Sequence, residues 1–499
     1  MTERTRGARS DLVIEDRLVL GAAVLLPWAY GGVAPWAFRT ASVVLVGAAA
    51  LSLLRAGWAG VGIERRTRWL IPGALLAVWA VLQLVPLPGG AIATLSPAAA
   101  AIHRATFPDR AGIADAPTRA AIEELALAQV PELQDVPFSE RAGDVPLGEP
   151  AGTWSGPRAL SLVPEAGWER VHWYLALLLT FVVVRRSAAR PGVGALYRRV
   201  LFGLFCALAV FGLVHAATSD GTLYWGRRPI EPSRPFTPYV NPAHFAGVME
   251  LAVPWLAGAA IDAWIRARRH GWAASRAPLL VAAAVLSVVA GLATASKAAP
   301  VLLGASLAAL ALLTSRTRRA RLLWIGTIVV VAAIAVVGVR FLRVGDRLDE
   351  LVATSGGDPR QVDRIVAWGA ALPMLRDFGI AGCGYGGFAD VFPAYLPSGE
   401  QLRWEQMHND FLEAAISGGA VGTVLLAWLV VGYLRRAGRA VGRARRRSDT
   451  AALGLAVGLA TLAAHALVDF NHQIPANALL FVVLAALAIA EVDEPARSP

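Results

Sequence analysis

Apolar residues gather along this chain into long runs, each near the roughly 20 residues that carry a helix across a bilayer core. Short stretches rich in arginine, proline and glycine separate them. Twelve runs read as helical spans: 17–36, 39–55, 69–86, 169–184, 200–216, 243–264, 277–294, 298–315, 322–339, 409–434, 450–468 and 474–490. Helix is the default, because a lone strand in lipid leaves its backbone groups without partners. The predicted fold class is all-α, a polytopic membrane helix bundle of about 12 transmembrane helices.

Arginine placement orients that bundle. The tail 1–17 and the loops 55–68, 185–199, 266–276, 316–321 and 435–447 carry 4, 4, 5, 4, 4 and 7 arginines. The short loops alternating with them, 37–39, 217–242, 295–297 and 469–473, carry 1, 3, 1 and 0 basic residues. Basic short loops stay inside, so the N and C termini are expected to be cytoplasmic, with 87–168 and 340–408 as two long periplasmic segments. The expected division is then 1–86 (helices 1–3), 87–168, 169–339 (helices 4–9), 340–408, and 409–499 (helices 10–12 and a tail). The first outer segment is proline-rich and acidic, with one short helix expected around Thr118–Ala128 and irregular chain elsewhere. The second has a helix-like stretch, Gln361–Leu375, ahead of the glycine-rich run Gly379–Gly387.

Composition narrows the class. With 56% of residues from AVILMFWYC, 17% charged and a mean hydropathy of +0.52, a soluble enzyme, a disulfide scaffold and a disordered chain are excluded. The net charge of +11 does not point to nucleic acid, because 46 of the 47 basic residues are arginines clustered between apolar runs. Cys206 and Cys383 offer neither a disulfide framework nor a metal spacing. From Leu18 onward no small-residue site closes a leader, so the first run is read as a span.

Polar residues at span edges are functional candidates in a membrane chain, and here they fall on the outer side: Asn241, His244, Lys297, Arg364, His408-Asn409-Asp410, Asp469, Asn471 and His472. Two readings stay open for several of them. Asn409 or Asp410 suits a helix cap, and Asn241 before Pro242 suits a helix start. Lys297, the only lysine in the chain, also suits an interfacial anchor. Arg340, Arg343 and Arg347 flank a span end, where solvation accounts for them. Glu250 lies about 13 Å along its helix from Asn241, either neutral or paired. His465 and Asp469, at i and i+4, suit a supporting bond as well as chemistry. Gly382-Cys-Gly-Tyr-Gly-Gly387 has the G-x-G-x-x-G spacing without the strand and helix of a dinucleotide site. It reads as a compact turn.

His408 to Gly422, HNDFLEAAISGGAVG, fits H-[NSQ]-x9-G-x-x-G and resembles the O-antigen ligase and polymerase family. Pro235–Pro254, Thr294–Lys297, Arg364–Phe388 and Leu467–Phe481 resemble the same family in the same order, over about half the chain. Arg158–Val171 is similar to the start of the family's fourth helix. There are departures: Lys297 and Ser417 stand where the family usually has an arginine and an acid, and Pro242-Ala243 where it often has Arg-Asn.

The resemblance implies a GT-C-like, metal-independent, inverting glycosyltransferase of the inner membrane, acting on the periplasmic side without a cofactor. Its donor is a glycan on undecaprenyl pyrophosphate; its acceptor is a hydroxyl of lipid A–core or of another glycan. Its partners include membrane lipids and no nucleic acid. His408 is the expected general base. Arg364 and Lys297 are the expected cations for the departing pyrophosphate, with Arg343, Arg360 or Arg234 as helpers. Asn241, His244, Asn409 and Asp469 are expected to bind substrate. The alternative is a polytopic transporter of a polysaccharide intermediate or another solute, for which Glu250 is the one deep polar residue.

Overall fold

A computed structural model of the chain describes residues 12–56, 68–106, 157–219, 221–227, 235–271, 275–315, 326, 364–396 and 404–490. The ninth expected span (322–339, apart from residue 326), the expected helix at 118–128 and Arg234, Arg343 and Arg360 lie outside the described residues. The described chain is all-helical, with isolated bridges and no strand. Its helices are α1 (Ile14–Leu25), α2 (Pro35–Ala56), α3 (Ile71–Leu82), α4 (Gly89–Leu95), α5 (Pro97–Thr106), α6 (Pro164–Ala188), α7 (Val193–Thr218), α8 (Pro242–His270), α9 (Ala277–Ala293), α10 (Ala299–Thr314), α11 (Arg364–Asp377), α12 (Phe388–Val391), α13 (Asp410–Arg447), α14 (Thr450–His465) and α15 (Pro475–Ala490).

Among the described residues, α2, α6, α7, α8 and α13 are long and apolar enough to cross a membrane, and α3, α9, α10, α14 and α15 are shorter apolar helices. Three sequence expectations need correcting. The first run is not one helix: Pro27 and the Gly31-Gly32 pair turn it into 3-10 turns at Leu26–Trp28 and Tyr30–Gly32. The basic stretch 435–447 is not a loop but the end of α13, because arginine is a good helix former and nothing breaks the helix between Gly419 and Ser448, the latter at φ 57°. The start of segment 87–168 is not irregular; it forms α4 and α5.

The described residues divide into two compact units. The first comprises those of Met1–Trp69, Leu175–Gly356 and Val431–Pro499, the second those of Leu70–Tyr174 and Gly357–Val430. In the first unit α8 is the central helix, with Phe245, Met249, Leu251 and Trp255 fully buried. It packs against α14 across glycines. A Cβ on Gly454 or Gly458 would collide with the carbonyl of Pro254 or Leu251, so small residues set this close approach. Asp262 of α8 accepts from the Thr450 and Ala451 amides at 3.1 and 3.0 Å, closing the start of α14.

The second unit has its own core of Met374, Phe378, Cys383, Phe388, Phe392, Met407 and Ile416. Its organising feature is a break in α13 at Gly419 (φ 63°, ψ −164°), backbone angles that glycine alone readily adopts. The break costs the helix two bonds, and the Gly379–Gly384 segment replaces them. Ala420 and Val421 amides donate to the Gly379 and Ile380 carbonyls at 3.3 Å each. Cys383 and Gly384 amides donate to the vacated Ile416 and Ser417 carbonyls at 3.1 Å each. The two amides and two carbonyls that the break frees are thereby paired. Gln83 of the α3 C-terminus locks the exchange, its Nε2 donating to Ala381 and Ser417 carbonyls at 2.6 and 2.9 Å. Trp79 adds an indole N–H to the Gly418 carbonyl at 2.9 Å.

Candidate functional site

His408 belongs to the second unit, two residues ahead of α13, and is half-buried. Its backbone is left-handed, at φ 52°, a conformation uncommon for residues other than glycine, though asparagine, aspartate and histidine are enriched in it. Its neighbours hold it there. The Met407 amide donates to Glu413 Oε2 at 2.7 Å, and the Met407 carbonyl accepts the Trp368 indole N–H at 3.0 Å. Asn409 caps α13, its Oδ1 accepting the Leu412 amide at 3.0 Å. The Trp404 ring meets the imidazole edge-on, centroids 5.7 Å apart.

Trp368 connects this turn to α11. Arg364, the first residue of α11, is exposed and lies one turn before Trp368 on the same helix face. One hydrogen bond therefore ties the helix bearing Arg364 to the residue preceding His408. The G-x-G-x-x-G run forms no strand–turn–helix; it is the compact turn expected, spent on the α13 break. Cys383 within it is fully buried. Burial above all, with the nearby Glu413 charge, pushes its thiol up to about 12, so it supplies no thiolate nucleophile at neutral pH. Burial likewise raises the Tyr385 hydroxyl.

The motif glycines now have a cause. Gly419 is the left-handed break itself, and a Cβ on Gly422 would stand 2.8 Å from the Tyr385 hydroxyl.

The first unit holds the remaining described candidates. Asn241 is the N-cap of α8, accepting the Ala243 amide at 2.8 Å. His244, one turn on, is buried, with Nε2 3.7 Å from Asp469 Oδ1. Asp469, also buried, accepts the Phe470 amide at 2.8 Å. The Asn477 side chain donates to the His244 carbonyl at 2.9 Å and to Asn471 Oδ1 at 2.8 Å. Lys297 is exposed in the turn between α9 and α10, where the Thr294 hydroxyl accepts the Ser296 amide at 3.2 Å.

Sequence reading missed several supports. Glu413 had a signal, an acid inside an apolar run. Trp368, Gln83 and Trp79 had none, because a polar group on an apolar-looking helix shows its purpose only through a partner far along the chain.

No curated protein matches the chain. Residues 282–427, from α9 into α13, match the family model described as O-antigen ligase. That stretch contains Lys297, Arg364 and the whole His408–Gly422 motif, and its apolar helices mark a membrane protein. The match over that stretch supports an O-antigen ligase family assignment.

Proposed function

We propose that the protein is an inner-membrane glycosyltransferase that moves a glycan from undecaprenyl pyrophosphate to a hydroxyl acceptor on the periplasmic side, without a metal ion. The proposed topology has twelve spans and both termini in the cytoplasm, from the arginine pattern of the loops. In the proposed reaction His408 accepts the acceptor hydroxyl's proton as its oxygen bonds to the anomeric carbon. The bond from that carbon to the pyrophosphate breaks, and the electron pair leaves with the carrier pyrophosphate. Attack opposite the leaving group inverts the anomeric centre. Arg364 and Lys297 are assigned to the leaving diphosphate; a guanidinium fork fits phosphate oxygens, while an ammonium acts as a point charge. Asn241, His244, Asn409 and Asp469 are assigned to substrate binding.

One observation carries this reading. The turn bearing His408 is strained, capped, and bonded through Trp368 to the helix that begins with Arg364. A helix N-terminus beside such a turn also favours an anion.

The test is His408→Ala in membranes supplied with the lipid-linked donor and acceptor. The expected loss is about 10²–10⁴-fold, the usual worth of a general base, at unchanged protein level. Near-normal product removes His408 from the mechanism. A deletion strain read on a glycan gel separates the two acceptor classes: carrier-linked polymer without core-linked polymer marks a ligase, and single units on the core mark a polymerase.

A further inference from the structure

Four ionisable side chains of the first unit form a buried file: Glu250 at 0% exposure, His465 at 1%, Asp469 at 1% and His244 at 4%. Glu250 Oε2 lies 2.8 Å from His465 Nδ1. On the other side of that ring, Nε2 lies 3.8 Å from Asp469 Oδ2, and Asp469 Oδ1 lies 3.7 Å from His244 Nε2. The other titratable side chain of the adjoining 469–473 turn is His472, whose ring meets Phe481 of α15 edge-on, centroids 4.7 Å apart. α10 and α15 contain no titratable side chain, and Asp262 of α8 is spent at the other end of α14.

Placement explains why such a costly arrangement is tolerated. Buried charge survives only when paired, and here one imidazole stands between two carboxylates. The protonated ring satisfies both: Nδ1–H donates to Glu250, and Nε2–H faces Asp469. Pro254 lies in α8 four residues beyond Glu250, and proline donates no amide to the carbonyl four residues before it. The Glu250 backbone carbonyl thus lacks its usual helical donor.

We propose that Glu250 and His465 are positioning residues, Glu250 keeping His465 protonated so that the imidazolium holds Asp469 ionised and turned toward His244. This rests on the transferase reading in one respect, that Asp469 binds substrate. Neither Glu250 nor His465 touches the reacting atoms. The file converts a deep carboxylate into a fixed anion at the 469–473 turn.

Nitrogen-15 NMR of histidine-labelled full-length protein in detergent tests the protonation directly, with no need of activity. The His465 resonance is identified by its loss in His465→Gln. It is also identified by its displacement in Asp469→Asn, should the first variant fail to fold. The expected result is an imidazolium through neutral pH in the wild type and a neutral ring in Glu250→Gln, where the amide keeps the shape and removes the charge. A neutral wild-type ring, or one unchanged by Glu250→Gln, overturns the proposal.

The kinetic arm reads the pH profile of kcat. Glu250→Gln removes the anion that keeps the proton on His465, so Asp469 protonates more readily and the acid limb moves to higher pH. A shift of about one unit makes kcat about tenfold lower at the foot of the limb. Less protein with an unmoved limb marks Glu250 as merely structural and overturns the assignment. Failure of the transferase reading looks different: His408→Ala then keeps product, while the NMR outcome stands by itself.

Discussion

The two units place their histidines by opposite means. In the second unit His408 is set by main chain: a left-handed φ of 52°, an amide and a carbonyl of Met407 each bonded, and a capped helix directly after. In the first unit His465 is set by side chains, its imidazole held on both edges by carboxylates and buried to 1% exposure. Main-chain placement leaves the ring half-buried, as the general base proposed above requires. Side-chain placement consumes the ring in the fold. Residue type alone does not separate these two histidines; what fixes each one does.

The comparison breaks most completely at Gly419. Gly419→Ala forces a Cβ against the Ile380 carbonyl in a backbone region closed to side chains. Strain of about 1–3 kcal/mol adds to the loss of the interlocking bonds, so the expected cost exceeds about 4 kcal/mol. Fluorescence-detected size exclusion with heating should show little folded protein. A wild-type melting profile would falsify the account of the second unit.

Next in size is the cation on α11. Arg364→Ala should lower transfer about 10²–10³-fold, the scale for removing one preorganised electrostatic group. Arg364→Lys should recover part of it, since charge returns without the fork. The loss should fall on donor dependence rather than acceptor dependence; equal loss on both reassigns the phosphate contact. Trp368→Phe is the smaller companion. It keeps the ring but removes the N–H to the Met407 carbonyl, a bond worth about 1 kcal/mol. The expected result is kcat reduced severalfold at unchanged protein level, and an unchanged kcat means the tie to α11 does not matter.

Much of the helical architecture is legible in the sequence. Long apolar runs state helices directly, and helices underlie eleven of the twelve runs, the other lying outside the described residues. Membrane spacing is a matter of length and hydropathy, both local properties. Boundaries were less legible. The run at 17–36 hides a break, because Pro27 and Gly31-Gly32 act on backbone angles and barely alter hydropathy. The α13 extension was hidden by the opposite effect, since arginines mark a membrane edge and continue a helix equally well. His408 and Asp469 stand out as polar residues at span edges, and Arg364 as an arginine in the long outer segment. Gln83 and Trp368 do not, because their partners lie 298 and 39 residues away. The pairing of Glu250 with His465, across 215 residues, was visible only as two polar residues in apolar surroundings.

The finest distinction lies between two asparagines that do the same local work. Asn241 and Asn409 each cap a helix through Oδ1, at 2.8 and 3.0 Å from the amide they accept. As caps, both should cost about 1 kcal/mol when changed to alanine, and aspartate at either place should restore the cap. They differ in their neighbours. Asn409 follows His408 directly, so a frayed α13 start relaxes the left-handed turn that presents the imidazole. Asn241 precedes a proline that fixes the helix start by itself. If both act as caps alone, equal small falls in melting temperature follow for Asn241→Ala and Asn409→Ala, with a severalfold drop in kcat for Asn409→Ala that Asn409→Asp reverses. If Asn409→Asp restores stability and leaves kcat low, the amide itself touches substrate, and the cap is only half of what Asn409 does.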